Sequence, residues 1–239
     1  MLFRIFHRQS GLRSIPEERE RIEYTPPPSK EYERFPRIAL PNHRPIESPL
    51  TELIESRGSS RQFDPSGSIS LENVSDVLFT GLGVGKKRTQ TEEGSPHPRH
   101  HPSGGSLYPI DAYLVSERVD GLEKGAYHYS ASAHVLSQLI MSPSDTMWSA
   151  FEGTTFPVQP AALIVLTSVW GRTYPKYGEF AYRLALMEAG HVMQNLLLAA
   201  AARSLKACPA AGFRTEIISA ALDIERDEED PLYILLLGS

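Results

Sequence analysis

The chain has 239 residues, of which 41% are hydrophobic and 22% charged, with a formal net charge of −5. That length and hydrophobic content support one sizeable domain with appendages. The acidic balance and the lack of a lysine or arginine run argue against nucleic acid as a partner. The single cysteine, Cys208, excludes a disulfide framework and a cysteine-rich metal site. With no apolar stretch suited to a membrane span, these features predict a cytoplasmic protein without a metal.

The first 45 residues differ in composition from the rest of the chain. Residues 1–45 are rich in proline and charge, which predicts an extended N-terminal arm lying on another surface. Residues 46–239 would then form the folded domain. Within it, residues 48–57 and 70–84 have the pattern of short helices, the second with Ser70 as its N-cap.

Residues 86–103 are polar and rich in Pro, His and Gly, which is typical of a loop. Strands are predicted at residues 111–117, 126–130, 135–139, 161–168 and 231–238. The continuous apolar run 161–168 suits a sheet that is buried on both faces. Residues 177–205 form the strongest helical pattern and are apolar nearly all round after His191, which predicts a central buried helix. A short helix is predicted at 214–222, and the mixture of elements favours an α+β fold.

The segment Arg57-Gly58-Ser59-Ser60-Arg61-Gln62-Phe63 is the first candidate binding motif. In an extended segment, side chains two residues apart point the same way. Arg57, Ser59 and Arg61 would then present two guanidinium groups and a hydroxyl to one object. Those donors fit a phosphate dianion. A solvated surface segment is the alternative.

The second motif runs from His101 to Pro109 and leads into a predicted strand. Its adjacent glycines, Gly104 and Gly105, would let the backbone approach a flat ligand without a Cβ in the way. An ordinary glycine-rich turn is the alternative.

The third motif opens the long helix with Tyr174-Pro175-Lys176-Tyr177 and continues to Glu188-Ala189-Gly190-His191 and Gln194-Asn195. Polar groups carried into a core need partners, so structural hydrogen bonding is the favoured interpretation for Glu188 and His191. Metal binding by His191 is not expected, because no second ligand lies at helical spacing.

Together, in this order, the three motifs resemble those of the nitroreductase superfamily. Residues 57–63 are similar to its Arg-x-Ser-x-Arg-x-Phe phosphate motif, and residues 102–109 to its Pro-Ser flavin loop. Residues 176–195 resemble the helix of its SagB/McbC-type azoline dehydrogenases, as does the segment Phe35–Pro41 in the arm. The resemblance implies an FMN-binding α+β sandwich with a central mixed sheet and a long buried helix. It also implies a homodimer, with the flavin at the interface and touched by both chains.

The resemblance assigns the FMN contacts residue by residue. They are Arg57, Ser59 and Arg61 at the phosphate and ribityl chain, and Ser103, Gly104, Ser106, Gln194 and Gly212 near the ring. The sequence departs from the family at Ala211, where many members carry Glu, and it lacks the C-terminal basic residues of some members. Arg214 is therefore a further candidate for the phosphate.

The reaction implied is the two-electron oxidation of a thiazoline or oxazoline ring in a peptide, with the flavin reoxidised by dioxygen. Lys176 and Tyr177 match the subgroup's catalytic pair. Free lysine and tyrosine lose their protons only near pH 10, so base catalysis requires desolvation or a shared hydrogen bond. A surface lysine after a proline turn is the alternative for Lys176.

Two other functions remain open at this point. One is an NAD(P)H-dependent nitro- or quinone reductase on the same scaffold. The other is a non-enzymatic flavin carrier or partner-binding subunit that uses the charged arm. If the protein oxidises azoline rings, a cyclodehydratase is a possible partner.

Overall fold

The computed structural model describes residues 2–11, 30–85, 98–141, 147–152, 159–225 and 227–239. Within these ranges the helices are α1 Leu2–Gln9, α2 Leu50–Ser56, α3 Leu71–Leu82, α4 Tyr174–Tyr177, α5 Phe180–Ala202 and α6 Thr215–Ala221. The strands are β1 Arg37–Ala39, β2 Ile69–Ser70, β3 Ile110–Ser116, β4 Val119–Asp120, β5 Gly125–Ser130, β6 Val135–Met141, β7 Ala162–Val169, β8 Lys206–Ala210 and β9 Glu229–Gly238.

A seven-stranded sheet in the order β1-β6-β5-β3-β7-β9-β8 organises the fold. All its neighbouring strands are antiparallel, so the sheet is not mixed as predicted. A short connection joins β5 and β6, the strands predicted at 126–130 and 135–139, into a hairpin, and tight turns of this kind can join only antiparallel strands. The described parallel pair is the two-residue contact of β2 with β4.

Both faces of the sheet are buried. In β3, Ala112 and Leu114 belong to a core cluster that also contains residues of α3 and α5. Tyr113 and Val115 belong to a second cluster, with residues of α6 and of the segment 147–152. Since side chains alternate across a strand, a sheet covered twice requires apolar residues at every position. The continuous apolar run predicted as a buried strand is confirmed as β7, which is buried along its whole length.

The structure confirms the predicted short helices, but it also contains a strand that the sequence did not predict. Helix α3 begins after Ser70, whose side chain accepts a hydrogen bond from the backbone N–H of Asn73. Helix α2 begins after Pro49, within the helix predicted at residues 48–57. Most of the loop predicted at 86–103, namely residues 86–97, lies outside the described residues. Strand β8 was not predicted, because Cys208-Pro209 interrupts a short segment that has no clear alternation.

After His191 the long helix α5 is mostly buried, as predicted, with Gln194 as the exposed residue, whereas its first half is only partly buried. It packs on α3 and the sheet, while its other face carries Tyr182, Leu186 and Met187 at 39%, 43% and 51% exposure. His191 and Gln194 are also exposed. By length and composition α5 could cross a membrane, but half of its most apolar window is buried inside the fold, as in a core helix.

The arm is not extended throughout, which also differs from the prediction. Residues 2–9 form helix α1, in which Ile5 and Phe6 are 51% and 42% exposed. Phe6 packs edge-on against Tyr182, with ring centroids 4.9 Å apart. Further along, β1 pairs with β6 and so extends the main sheet, although it lies before the predicted boundary at residue 45.

Candidate active site

The glycine-rich loop between His101 and Pro109 is a tight turn. Residues 104–106 form a single 3₁₀ turn in which Gly105 has a φ of +65°. Ser106 and Tyr108 also have positive φ values, 57° and 47°, which L-residues rarely adopt. The Ser103 hydroxyl accepts a hydrogen bond from the Tyr108 backbone N–H at 2.9 Å. The predicted flavin contact Ser103 therefore also holds its own loop in shape.

Lys176 and Tyr177 lie directly against this loop. A Cβ atom on Gly105 would be 2.5 Å from Tyr177 Oη and 2.9 Å from Lys176 Nζ, so any other residue there would displace both groups. The Lys176 Nζ atom is 5.4 Å from the centroid of the Tyr177 ring. On the other side, a Cβ on Gly104 would meet Leu184 of α5 at 3.0 Å. The structure thus brings the predicted flavin loop and the predicted catalytic pair together.

The one-turn helix α4 carries the pair. The backbone N–H groups of Lys176 and Tyr177 both donate to the carbonyl of Thr173, at 3.1 and 3.0 Å. Thr173 follows a 3₁₀ turn, Trp170–Arg172, that begins where β7 ends. Lys176 is exposed and Tyr177 half-buried. The desolvation that base catalysis requires is therefore not provided by the described part of this chain alone.

A buried ion pair lies beneath the loop. The two guanidinium Nη atoms of Arg172 donate to the two carboxylate oxygens of Asp111 at 2.6 and 2.9 Å. Burial by itself would raise the pKa of Asp111, but the charge and hydrogen bonds of Arg172 outweigh it and hold that pKa well below its usual range. The sequence analysis missed this pair. The available signal was a charged residue at the start of a strand that is otherwise apolar.

A second buried polar pair joins the loop to α5. His101 Nε2 lies 3.2 Å from a carboxylate oxygen of Glu188, and His101 Nδ1 lies 3.2 Å from the carbonyl oxygen of Gly81. Both side chains are almost fully buried. The interpretation of Glu188 as a structural hydrogen-bonding residue is therefore supported, whereas His191 faces outward and needs no internal partner.

The predicted phosphate motif runs beside the edge strand β8. The backbone N–H of Ser60 donates to the carbonyl of Ala207 at 2.8 Å. Burial raises the pKa of the Cys208 thiol on β8, and the positive charge of Arg61 partly offsets that effect. Arg57 is half-buried and Arg61 exposed, and neither guanidinium forms an ion pair with any residue that the structure describes.

The phosphate motif and the glycine loop lie at opposite ends of the sheet. Ala207 pairs through Leu237 with Ala162, at the start of β7. Pro109 bonds to Val169, at the end of β7. Ala162 and Val169 are seven residues apart along β7, which corresponds to about 23 Å. One chain therefore does not bring Arg57, Ser59 and Arg61 together with Ser103, Gly104 and Ser106.

The other residues predicted to contact FMN lie elsewhere on the chain than the glycine loop. Gln194 is exposed on α5, ten residues or about 15 Å along the helix from Leu184. Gly212 is exposed just after the end of β8. Arg214 is instead engaged inside the chain, since its guanidinium donates to Glu152 at 2.9 Å. This ion pair is exposed to solvent, and a role of Arg214 as a further phosphate ligand stays a prediction.

A comparison with protein families decides the classification. A model described as the nitroreductase family matches residues 54–239. The chain belongs to the nitroreductase family. This nitroreductase is therefore an oxidoreductase by family, and the α+β fold predicted from its motifs is confirmed.

Individual relatives agree with this classification. The chain is 27% identical over 243 residues to the microcin B17-processing protein McbC of Escherichia coli, covering 98% of this chain and 88% of McbC. The resemblance to the SagB/McbC group is thus confirmed. A chain of the E. coli McbBCD microcin synthetase complex, solved with truncated pro-MccB17 bound, matches with a TM-score of 0.64 and 22% identity. That match covers 100% of this chain and 91% of the other.

A nitroreductase-like protein of Desulfovibrio desulfuricans, solved in complex with FMN, has the same fold. It matches with a TM-score of 0.53 and 17% identity, covering 80% of this chain and 86% of the other.

Proposed function

We propose that this nitroreductase is an FMN-dependent oxidase that converts thiazoline or oxazoline rings of a peptide into thiazoles or oxazoles. The observation that carries the proposal is the contact of Gly105 with Lys176 Nζ and Tyr177 Oη. It joins a loop suited to a flat ring with two side chains able to take a proton. The 27% identity to the microcin-processing McbC over nearly the whole chain supports a peptide substrate.

The residues present fit FMN. Arg57 and Arg61 are without ion-pair partners among the described residues, and Ser59 is exposed between them, so these donors are available to a phosphate dianion. Gly104 and Gly105 have no Cβ atoms, which allows the backbone of this loop to approach a planar ring closely. When bound, FMN supplies the two-electron acceptor that the oxidation requires.

A homodimer would complete the site, because the two halves of the proposed FMN site are about 23 Å apart along β7 in one chain. The second support is the exposed apolar surface formed by Leu186 and Met187 on α5 and by Leu50 and Ile54 on α2, the last two at 62% and 55% exposure. Large exposed apolar surfaces mark interaction sites. In such a dimer, the phosphate motif of one copy would have to lie beside the glycine loop of the other, because one chain keeps them apart.

Aromatisation removes two hydrogens from adjacent ring carbons, one as a proton and one as a hydride. We propose that Lys176 Nζ takes the proton and that Tyr177 Oη, which lies on the same side of Gly105, orients the amine. Since Lys176 is exposed in one chain, the desolvation that activates it would come from the bound peptide, FMN and the second subunit. In the net reaction the two hydrogens are transferred to dioxygen, which becomes hydrogen peroxide.

The test uses the purified protein loaded with FMN and a peptide that contains an azoline ring. The double variant K176M/Y177F should keep its FMN absorbance and lose turnover by at least about 100-fold, the usual scale for losing a general base. Lys124→Met is the matched control, because Lys124 is a surface lysine paired with Glu117 at 2.9 Å. Peroxide release and the azole absorbance report turnover.

Three outcomes would count against the proposal. Undiminished turnover in the double variant would remove the assignment of Lys176 and Tyr177. Rapid bleaching of the flavin by NADPH, without azoline oxidation, would favour a nitro- or quinone reductase. A protein that binds no FMN would indicate a partner-binding subunit. The partner we propose is a cyclodehydratase that makes the azoline; the match to a chain of a microcin synthetase complex supports assembly with a partner.

A further inference from the structure

We propose that Arg172 is a positioning residue that sets the distance between the glycine loop and the Lys176–Tyr177 turn. The inference rests on the proposed function, because it concerns the geometry of that same site. Arg172 is not expected to touch the substrate, since its side chain is 3% exposed and lies beneath the loop.

The guanidinium of Arg172 donates hydrogen bonds both to the glycine loop and to strand β3. One Nη atom donates both to the carbonyl oxygen of Tyr108 at 3.0 Å and to the Asp111 carboxylate at 2.6 Å. The other Nη atom donates to the second Asp111 oxygen at 2.9 Å. Asp111 lies on β3, in the rigid sheet, so the bidentate pair fixes the orientation of the guanidinium plane. The N–H group that donates to Tyr108 then determines where the Tyr108 carbonyl points.

Tyr108 is the residue where this orientation matters most. Its φ of +47° is unfavourable for an L-residue and persists only where the surroundings impose it. Its carbonyl is held by Arg172, and its N–H donates to Ser103 Oγ at 2.9 Å. The conformation of residues 103–108 therefore depends on the bond from Arg172.

The same residue also leads directly into the catalytic turn. Arg172 ends the 3₁₀ turn that follows β7, and the next residue, Thr173, accepts the N–H groups of Lys176 and Tyr177. Loop and turn are thus connected through one buried side chain, and the two sides meet at Gly105. A displacement of about 1 Å between reacting groups can cost about 100-fold in rate.

Other charged groups face the pair but do not replace it. His128 on β5 lies 3.7 Å from Asp111, and Glu229 on β9 and Arg99 near the loop act on it through their charges. A lysine at position 172 would keep the positive charge but lacks the planar set of donors needed for three simultaneous bonds. Arg172→Lys therefore separates positioning from charge.

The chain offers a matched control at the far end of α5. Arg203 donates to the buried carboxylate of Asp76 at 2.7 Å and to the backbone carbonyl of Arg44 at 2.7 Å. This combination of carboxylate and carbonyl acceptors is the one that Arg172 uses. Arg203→Lys should therefore change stability in a similar way without affecting the site.

The experiment measures hydrogen exchange in FMN-free protein and steady-state kinetics in FMN-loaded protein. In R172K, exchange should rise in peptides covering 103–109 and 173–177 together. The kcat should fall about 100-fold while KM stays within about threefold, since substrate binding does not use Arg172. R203K should show neither effect.

A second variant removes the pair without leaving an unpaired buried charge. D111L/R172M replaces both partners by apolar residues, which is often neutral or stabilising for the fold. A folded double variant with wild-type hydrogen exchange and wild-type kcat would overturn the proposal. Equal losses of kcat in R172K and R203K would also overturn it. If the wild-type protein oxidises no azoline peptide, the proposed function fails, whereas the exchange measurement still decides whether Arg172 couples loop and turn.

Discussion

Replacement of Gly105 by alanine tests the central contact of the site. The added Cβ would lie 2.5 Å from Tyr177 Oη and 2.9 Å from Lys176 Nζ. The lysine end is flexible and can move aside. Tyr177 Oη, at the tip of a half-buried ring, must retreat by about 0.9 Å to restore an ordinary contact of 3.4 Å.

The structure separates two effects of this substitution. The φ of +65° at Gly105 costs an L-residue about 1–2 kcal/mol, which corresponds to a loss of roughly 2–8 °C in Tm for a domain of this size. The displacement of the Tyr177 hydroxyl, at close to 1 Å, should lower turnover about 100-fold. The catalytic loss should therefore far exceed what partial unfolding explains.

Gly121→Ala is the control, because Gly121 has a φ of +79° and no atom lies within 4 Å of a Cβ built there. Turnover of an azoline peptide and thermal denaturation would be measured for both variants. Equal losses of Tm with a loss of turnover confined to G105A are expected. Wild-type turnover in G105A, or the same loss in G121A, would refute the reasoning.

Three further predictions concern the cofactor, acid stability and helix packing. R57M/R61M should weaken FMN binding by at least about 100-fold in a fluorescence titration, because each charge-assisted hydrogen bond contributes about 1.5–3 kcal/mol; unchanged affinity would exclude both as phosphate ligands. Because the folded-state pKa of Asp111 is lowered, its ionised form stabilises the fold above about pH 4 and that contribution is lost as the pH falls further. The difference in unfolding free energy between wild type and D111N should therefore shrink below about pH 4 in denaturant titrations, and a constant difference would contradict this. Gly81→Ala should cost about 1–3 kcal/mol, because its Cβ would meet a leucine of α5 at 2.4 Å, whereas Gly190→Ala, with open space, should stabilise α5 by about 0.5–1 kcal/mol; similar unfolding free energies for the two variants would show that the packing argument is wrong.

Much of the fold was accessible from local patterns in the sequence. The cap at Ser70, the hairpin of β5 and β6 and the apolar strand β7 depend on residues close in the chain, so periodicity and capping rules identify them. The same rules identified α5 but not the exposed side chains of its first half, because apolar side chains alone do not show whether a neighbour covers them. Leu186 and Met187 continue the apolar pattern of the buried face, yet they are exposed in the single chain.

The site divides in the same way. The three motifs are short and contiguous, so the sequence by itself determined which residues to consider and which family they resemble. Strand order and register decided which of those motifs meet, because both depend on contacts between residues far apart in the chain. They place Gly105 against Tyr177, 72 positions later, and they keep Arg57 at the other end of the sheet. The support from Arg172 and Asp111 belongs to the tertiary structure alone, since a buried ion pair between distant residues has no local pattern.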